Sequence, residues 1–189
     1  MRKLIAILLM ISLFICLFTA CDNNGESGGE QNNENENGSN VTLPDYGKKV
    51  GDRCFPTSLS LISGDGGVNV SDYSDKIVVL NFWGTWCGPC VGELPHFDKL
   101  ASEYSGEVVF IAVHSNSGVE KAPEFISTNY PSSKIIFAKD GANEKYYNLV
   151  AGSGYYPSTL ILDKNNVISF SEYGVLSESE LKAEIEKLR

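Results

Sequence analysis

The chain has 189 residues, enough for one ordinary domain with a hydrophobic core. With 42% hydrophobic and 11% aromatic residues, it falls outside the disordered and fibrous classes. A formal net charge of -9 at pH 7 argues against a nucleic-acid partner, whose phosphates require a basic face.

At the start, Arg2 and Lys3 precede an apolar run over residues 4–18, interrupted only by Ser12. A spanning helix needs about 20 apolar residues, so the run suits the core of a signal peptide. It ends in Phe18-Thr19-Ala20-Cys21, small residues leading into a cysteine. This resembles a bacterial lipoprotein signal, which implies that residues 1–20 are removed and that Cys21 carries the lipid. An uncleaved membrane anchor is the other reading, and under both the remainder is tethered outside the cytoplasm. Residues 22–40 hold no apolar side chain and five acids, Asp22, Glu26, Glu30, Glu34 and Glu36. Such a stretch cannot offset the entropy of ordering, so residues 21–45 are expected to form a lipidated, disordered acidic tether. The domain then spans residues 46–189.

Within it, residues 59–62 and 68–70 flank the glycine-rich segment 63–67 and predict a β-hairpin. Residues 77–82 are apolar apart from Asn81, the pattern of a strand buried on both faces. A helix is predicted from Cys87 to about Tyr104, with Leu94, Phe97, Leu100 and Ala101 at helical spacing. A second buried strand follows at 108–113, a helix at 119–130, a short strand at 135–138 and a helix at 143–150. Residues 159–162 and 167–170 read as a hairpin around Asp163-Lys164-Asn165-Asn166, and 178–188 as a closing amphipathic helix. Alternating strands and helices of this kind predict a three-layer α/β domain with a central mixed sheet.

Of the five cysteines, Cys16 leaves with the signal and Cys21 takes the lipid, so Cys54, Cys87 and Cys90 remain. No second Cys or His pair lies at metal-ligand spacing, and no metal site is expected. Cys87 and Cys90 enclose Gly88 and Pro89 directly after a buried strand. There Cys87 meets the unpaired N–H groups and the positive dipole end of the following helix, which lower its pKa below the free value of about 8.5. It is therefore the expected attacking group, with Cys90 one turn inside. Pro89 suits the first helical turn, where a missing N–H costs nothing. A permanent stabilising bridge is the bland alternative, but so short a loop stabilises little.

Residues 50–189 resemble the TlpA/ResA/CcmG-like branch of the thioredoxin superfamily. The resemblance rests on Val50-Gly51-Asp52, the run from Val79 through Asn81-Phe82-Trp83-Gly84-Thr85-Trp86-Cys87-Gly88-Pro89-Cys90, Glu93-Leu94-Pro95, and Tyr156-Pro157-Ser158-Thr159. It implies a thioredoxin fold with an added N-terminal hairpin and a helix-strand insertion over residues 117–148. It also implies a cis bond before Pro157, with that proline against the two sulfurs, and a substrate surface of Trp86, Gly88, Pro89, Tyr156 and Pro157. Asn81 stands where thioredoxin has a buried Asp, and Glu93 matches the glutamate that in this branch tunes the cysteine pair. Glu93 is therefore the candidate acceptor of the Cys90 proton, with a solvated helix-face glutamate as the alternative. Arg53-Cys54-Phe55-Pro56 departs from the Ala-Pro-Asp-Phe usual in the branch, which leaves Cys54 as either a semi-buried bystander or an auxiliary redox thiol. His96 and His114 receive no role.

The function implied is extracytoplasmic thiol-disulfide exchange in the reducing direction. The Gly-Pro pair between the cysteines goes with potentials near about -270 mV. No cofactor beyond the redox disulfide is implied. The implied partners are protein disulfides such as those of apocytochrome c, and a membrane electron donor of the CcdA/DsbD type. The chain is expected to act as a monomer. An oxidase or isomerase of the same fold, a peroxide-reducing relative and a non-enzymatic binding lipoprotein are the competing readings.

Overall fold

The computed structural model of the protein describes residues 43–152 and 154–189. The signal segment, Cys16, Cys21 and most of the tether lie outside the described residues.

The domain is built on one mixed sheet. Strand β1 (Tyr46–Gly47) pairs in parallel with β2 (Arg53–Cys54) as a small separate sheet. The main sheet comprises β3 (Ser58–Leu61), β4 (Gly67–Asn69), β5 (Ile77–Trp83), β6 (Val108–His114), β7 (Ile136–Lys139), β8 (Ser158–Leu162) and β9 (Ile168–Tyr173). Their order is β4-β3-β7-β6-β5-β8-β9, with β5, β6 and β7 parallel and the outer pairings antiparallel. Helices α1 (Gly88–Glu103), α2 (Ala122–Asn129), α3 (Lys145–Val150) and α4 (Glu178–Glu186) complete it. This is the expected mixed-sheet α/β architecture, including the early hairpin, β3–β4.

Period-two alternation decides what each strand residue meets. From β5, Ile77, Val79 and Trp83 enter a core with Leu94, Phe97 and Leu100 of α1, Ile126 of α2, and Leu181 and Ile185 of α4. Val78, Leu80 and Phe82 point the other way, onto Tyr146, Tyr147 and Val150 of α3. All seven residues of β5 are buried, Asn81 among them, as a run apolar but for that residue predicts.

Four boundaries differ from the sequence reading in ways that matter. Strands β5 and β6 each run one residue further, so Trp83 and His114 face each other in register. The helix expected at 119–130 opens as a 3-10 turn (Val119–Lys121), and α2 proper starts at Ala122 with Pro123 in its first turn. The helix expected at 143–150 begins only at Lys145, because Asn143 and Glu144 adopt left-handed φ angles of 60° and 53°. Asp140 causes this late start: its carboxylate accepts the N–H groups of Gly141, Tyr146 and Tyr147 at 2.6, 2.8 and 2.7 Å. Two of those belong to the first turn of α3, so a side chain outside the helix caps it.

Candidate active site

Strand β5 ends at Trp83, and the chain turns through Gly84, Thr85 and Trp86 into α1. Cys87 is the N-cap of that helix, with an extended backbone that leaves its side chain facing the first turn. Cys87 and Cys90 form a disulfide, with Cα atoms 5.2 Å apart. The Cys87 Sγ accepts the Cys90 N–H at 3.2 Å, so a helix-end donor already points at the sulfur where a thiolate would carry charge. Cys90 is fully enclosed, and Cys87 alone retains a little exposure. Pro89 occupies the first helical turn, where its missing N–H leaves no broken bond.

A buried polar trio includes Glu93, one helical turn after Cys90. Asn81, on β5, donates its amide to Glu93 Oε1 at 2.9 Å and to Thr159 Oγ1 at 3.1 Å. Glu93 is fully buried on α1, and its Oε2 accepts the Leu176 N–H at 3.1 Å. The solvated helix-face alternative for Glu93 is thereby excluded. Burial pushes its carboxyl group up to about 7, and the bonds from Leu176 and Asn81 only partly oppose this. It is thus a group that can gain and lose a proton near neutrality, one helical turn beyond Cys90.

The front of the site is aromatic. The Tyr156–Pro157 bond is cis, as the resemblance implied. Strand β8 follows at once, and its first residue, Ser158, pairs with Phe82. That register puts the cis proline at the same sheet end as the disulfide. Trp86 is 53% exposed, and its indole N–H donates to Ser117 O at 2.9 Å and Ser115 Oγ at 3.1 Å. The Trp86 ring meets Tyr156 edge-on at 5.4 Å, and Tyr156 stacks on Tyr147 at 4.8 Å. Tyr156 donates its hydroxyl to Glu144 Oε2 at 3.0 Å, and burial together with that carboxylate holds its pKa above the ordinary tyrosine value. The indole packs against the backbone at Gly84, where a Cβ would lie 2.6 Å from its Nε1. The proposed substrate surface, Trp86, Gly88, Pro89, Tyr156 and Pro157, is therefore assembled from two separate turns.

Cys54 is on the opposite face of the sheet from the disulfide, in the core with Leu80 and Phe82. It is fully rather than partly buried, and its Sγ lies 3.3 Å from the Tyr146 hydroxyl. Burial pushes this thiol up to about 11, which makes it a poor nucleophile. The bystander reading fits that placement. His114, Thr159 and Glu144 belong to the site's surroundings, although in the sequence Thr159 only closes the Tyr156-to-Thr159 motif, His114 received no role and nothing pointed to Glu144. His114 merely ended an apolar run, and its register with Trp83 is a property of the sheet. Among the described residues no group of three or more His, Cys, Asp or Glu side chains could hold a metal ion.

The family model described as Redoxin matches residues 49–186. The chain is 31% identical over 145 residues to thioredoxin-like protein YneN of Bacillus subtilis, covering 75% of this chain and 82% of that one. It is 32% identical over 124 residues to thiol-disulfide oxidoreductase ResA of Geobacillus thermodenitrificans, covering 64% of this chain and 67% of that one. In fold it is similar to the crystal structure of a DsbF homologue from Corynebacterium diphtheriae. The TM-score is 0.63 at 21% identity, over 80% of this chain and 96% of that one. A thioredoxin-like sheet, an N-capping cysteine with its partner one turn inside, and relatives of this kind converge: the chain belongs to the Redoxin family, on the ResA-like branch of the thioredoxin superfamily, and is a thiol-disulfide oxidoreductase.

Proposed function

We propose that the protein reduces disulfides of other proteins outside the cytoplasm, using Cys87 as nucleophile and Cys90 as resolving thiol. The observation that carries this is the asymmetry of the pair. Cys87 caps α1 beside the exposed Trp86, whereas Cys90 is enclosed one helical turn before the buried Glu93. The Cys87 thiolate attacks one sulfur of a substrate disulfide, forming a mixed disulfide and releasing the other sulfur as a thiolate. Glu93 takes the Cys90 proton. The Cys90 thiolate then attacks Cys87 Sγ, the mixed bond breaks, and the substrate leaves with its second thiolate. The product is the Cys87–Cys90 disulfide, so two electrons have passed to the substrate. Trp86, Gly88, Pro89, Tyr156 and Pro157 receive the substrate chain.

The remaining parts of the reading rest on the sequence. Cys21 carries a lipid that anchors the protein to the bacterial cell membrane, and residues 21–45 space the domain from it. A membrane donor of the CcdA/DsbD type returns the dithiol, and apocytochrome c or another envelope protein is the target. No further cofactor is required, and the protein works as a monomer.

The test is a Cys90→Ser protein expressed in cells with an intact envelope. Mixed disulfides on Cys87 are isolated and the partners identified. Cytochrome c among them supports haem-protein maturation, and secreted multi-disulfide proteins alone point to folding instead. An empty trap overturns the exchange reading. A measured potential above about -150 mV would reverse its direction.

A further inference from the structure

We propose that His114, as the neutral imidazole, is a positioning residue for thiol exchange: it fixes the Thr85–Trp86 corner that presents Cys87 and Trp86 to a protein substrate. The proposal rests on the exchange reading and adds a residue that touches neither sulfur. His114 is the last residue of β6, fully buried, and its ring meets Trp83 edge-on at 4.8 Å. Both ring nitrogens are used by backbone. Nε2 accepts the Thr85 N–H at 2.9 Å, and Nδ1 lies 2.5 Å from the Ser115 carbonyl oxygen. A carbonyl can only accept, so Nδ1 carries the hydrogen and Nε2 the lone pair.

This ring joins the corner before Cys87 to the loop that holds Trp86. Ser115 Oγ and Ser117 O accept the Trp86 indole N–H, Thr85 Oγ1 donates to Gly118 O at 3.4 Å, and Ser115 N–H donates to Trp83 O at 2.8 Å. A proton on Nε2 would face the Thr85 N–H with a second donor and find an acceptor only in Thr85 Oγ1, 3.3 Å away, so the bond that ties the Thr85 N–H to the ring would be lost. Burial keeps the imidazole pKa below its ordinary value. Glu144 and Glu120 oppose this from neighbouring turns, Lys139 lies beside His114 on β7, and Asp140 meets it only through a backbone bond to the His114 carbonyl.

The test uses the purified protein. In the oxidised form neither cysteine titrates, so NMR of the Thr85 amide, the Trp86 indole N–H and the His114 ring can be followed from pH 8 to 4. All three are expected to shift together with a midpoint below 6.5, and His114→Gln, whose side-chain oxygen can accept from Thr85, should abolish the transition. In the reduced form, His114→Ala should slow reduction of insulin about tenfold, since a misplaced reacting group costs on that order or more. Its reduction of 2-hydroxyethyl disulfide, which needs no extended surface, should stay within about twofold, and His114→Gln should recover the insulin rate at pH 7. A His114→Ala protein that folds and reduces insulin at the normal rate overturns the proposal. So does equal loss on both substrates without rescue by His114→Gln, or a Thr85 amide indifferent to the His114 titration. Should His114→Ala not fold, the titration and His114→Gln decide the matter. Failure of the exchange reading is distinguishable, because the unsubstituted protein would then reduce neither substrate.

Discussion

At Glu93 a carboxyl group is buried and accepts from the Asn81 amide and the Leu176 N–H. Its pKa of about 7 in the fold exceeds the ordinary 4.5, so the folded state holds the extra proton between those limits. Stability from this group is fully present below about pH 4.5 and is lost as pH rises through 7. A tenfold change in proton affinity corresponds to about 1.4 kcal/mol, so ionising Glu93 in place costs on the order of 3 kcal/mol. Glu93→Gln is therefore expected to unfold at higher urea than the unsubstituted protein at pH 8, with the difference shrinking towards pH 5. If Glu93 also serves Cys90, the same variant prolongs the mixed disulfide at neutral pH. Neither consequence is available to Cys54, whose thiol is sealed in the far core and held protonated. Two cysteines of one chain thus differ in reactivity through burial and helix position rather than through their immediate sequence neighbours.

The elements that flank the disulfide depend on side chains supplied from outside themselves. Helix α3 has only six residues, too short to persist without tertiary support, and its first-turn donors are satisfied by Asp140. Its Tyr147 forms the base on which Tyr156 stacks, next to the cis proline. Asp140→Ala should cost about 2–4 kcal/mol, since three backbone N–H groups lose one buried acceptor. Thermal unfolding measures that loss. A parallel fall in insulin reduction is expected, because the support beneath Tyr156 loosens. By contrast α4 is capped from within: Ser177 and Glu180 form a reciprocal capping box, and Leu181 and Ile185 are buried against the α1 side of the sheet. The ion pairs that join the two helices, Lys99 with Glu178 and Lys182 with Glu103, are exposed and add little.

For the whole molecule, two buried titratable groups set opposed pH slopes. Glu93 removes stability as pH rises from about 4.5 through 7. His114 has a lowered pKa, so its neutral form is favoured by the fold and stability falls as pH drops below about 6.5. Just below about pH 6.5 the two slopes oppose each other, and between 6.5 and 7 that of Glu93 prevails. Urea midpoints of the oxidised protein are therefore expected to decline as pH rises from about 6.5 through 7. Glu93→Gln should abolish that decline, and His114→Gln should extend it to lower pH. A maximum above pH 8 in the unsubstituted protein would contradict the Glu93 assignment.

Much of this was legible in one dimension, and for identifiable reasons. A six-residue run that is apolar but for Asn81 marks a strand inside a sheet, and a cysteine one residue before Gly-Pro at a strand-to-helix turn can only sit at a helix end. Those local constraints located Cys87, Cys90 and Pro89 without coordinates, and the resemblance to a known branch supplied Glu93 and the cis proline. The left-handed residues Asn143 and Glu144 were not legible, because their cause is the carboxylate of Asp140 reaching the helix from outside. Nor was His114, which looks like the end of a run until strand register sets it beside Trp83 and under Thr85. Local pattern and helix-end chemistry belong to the sequence itself. Which strand lies beside which, and so which buried groups share a site, was decided by the tertiary structure, because pairing between distant strands brings together residues that no spacing along the chain relates.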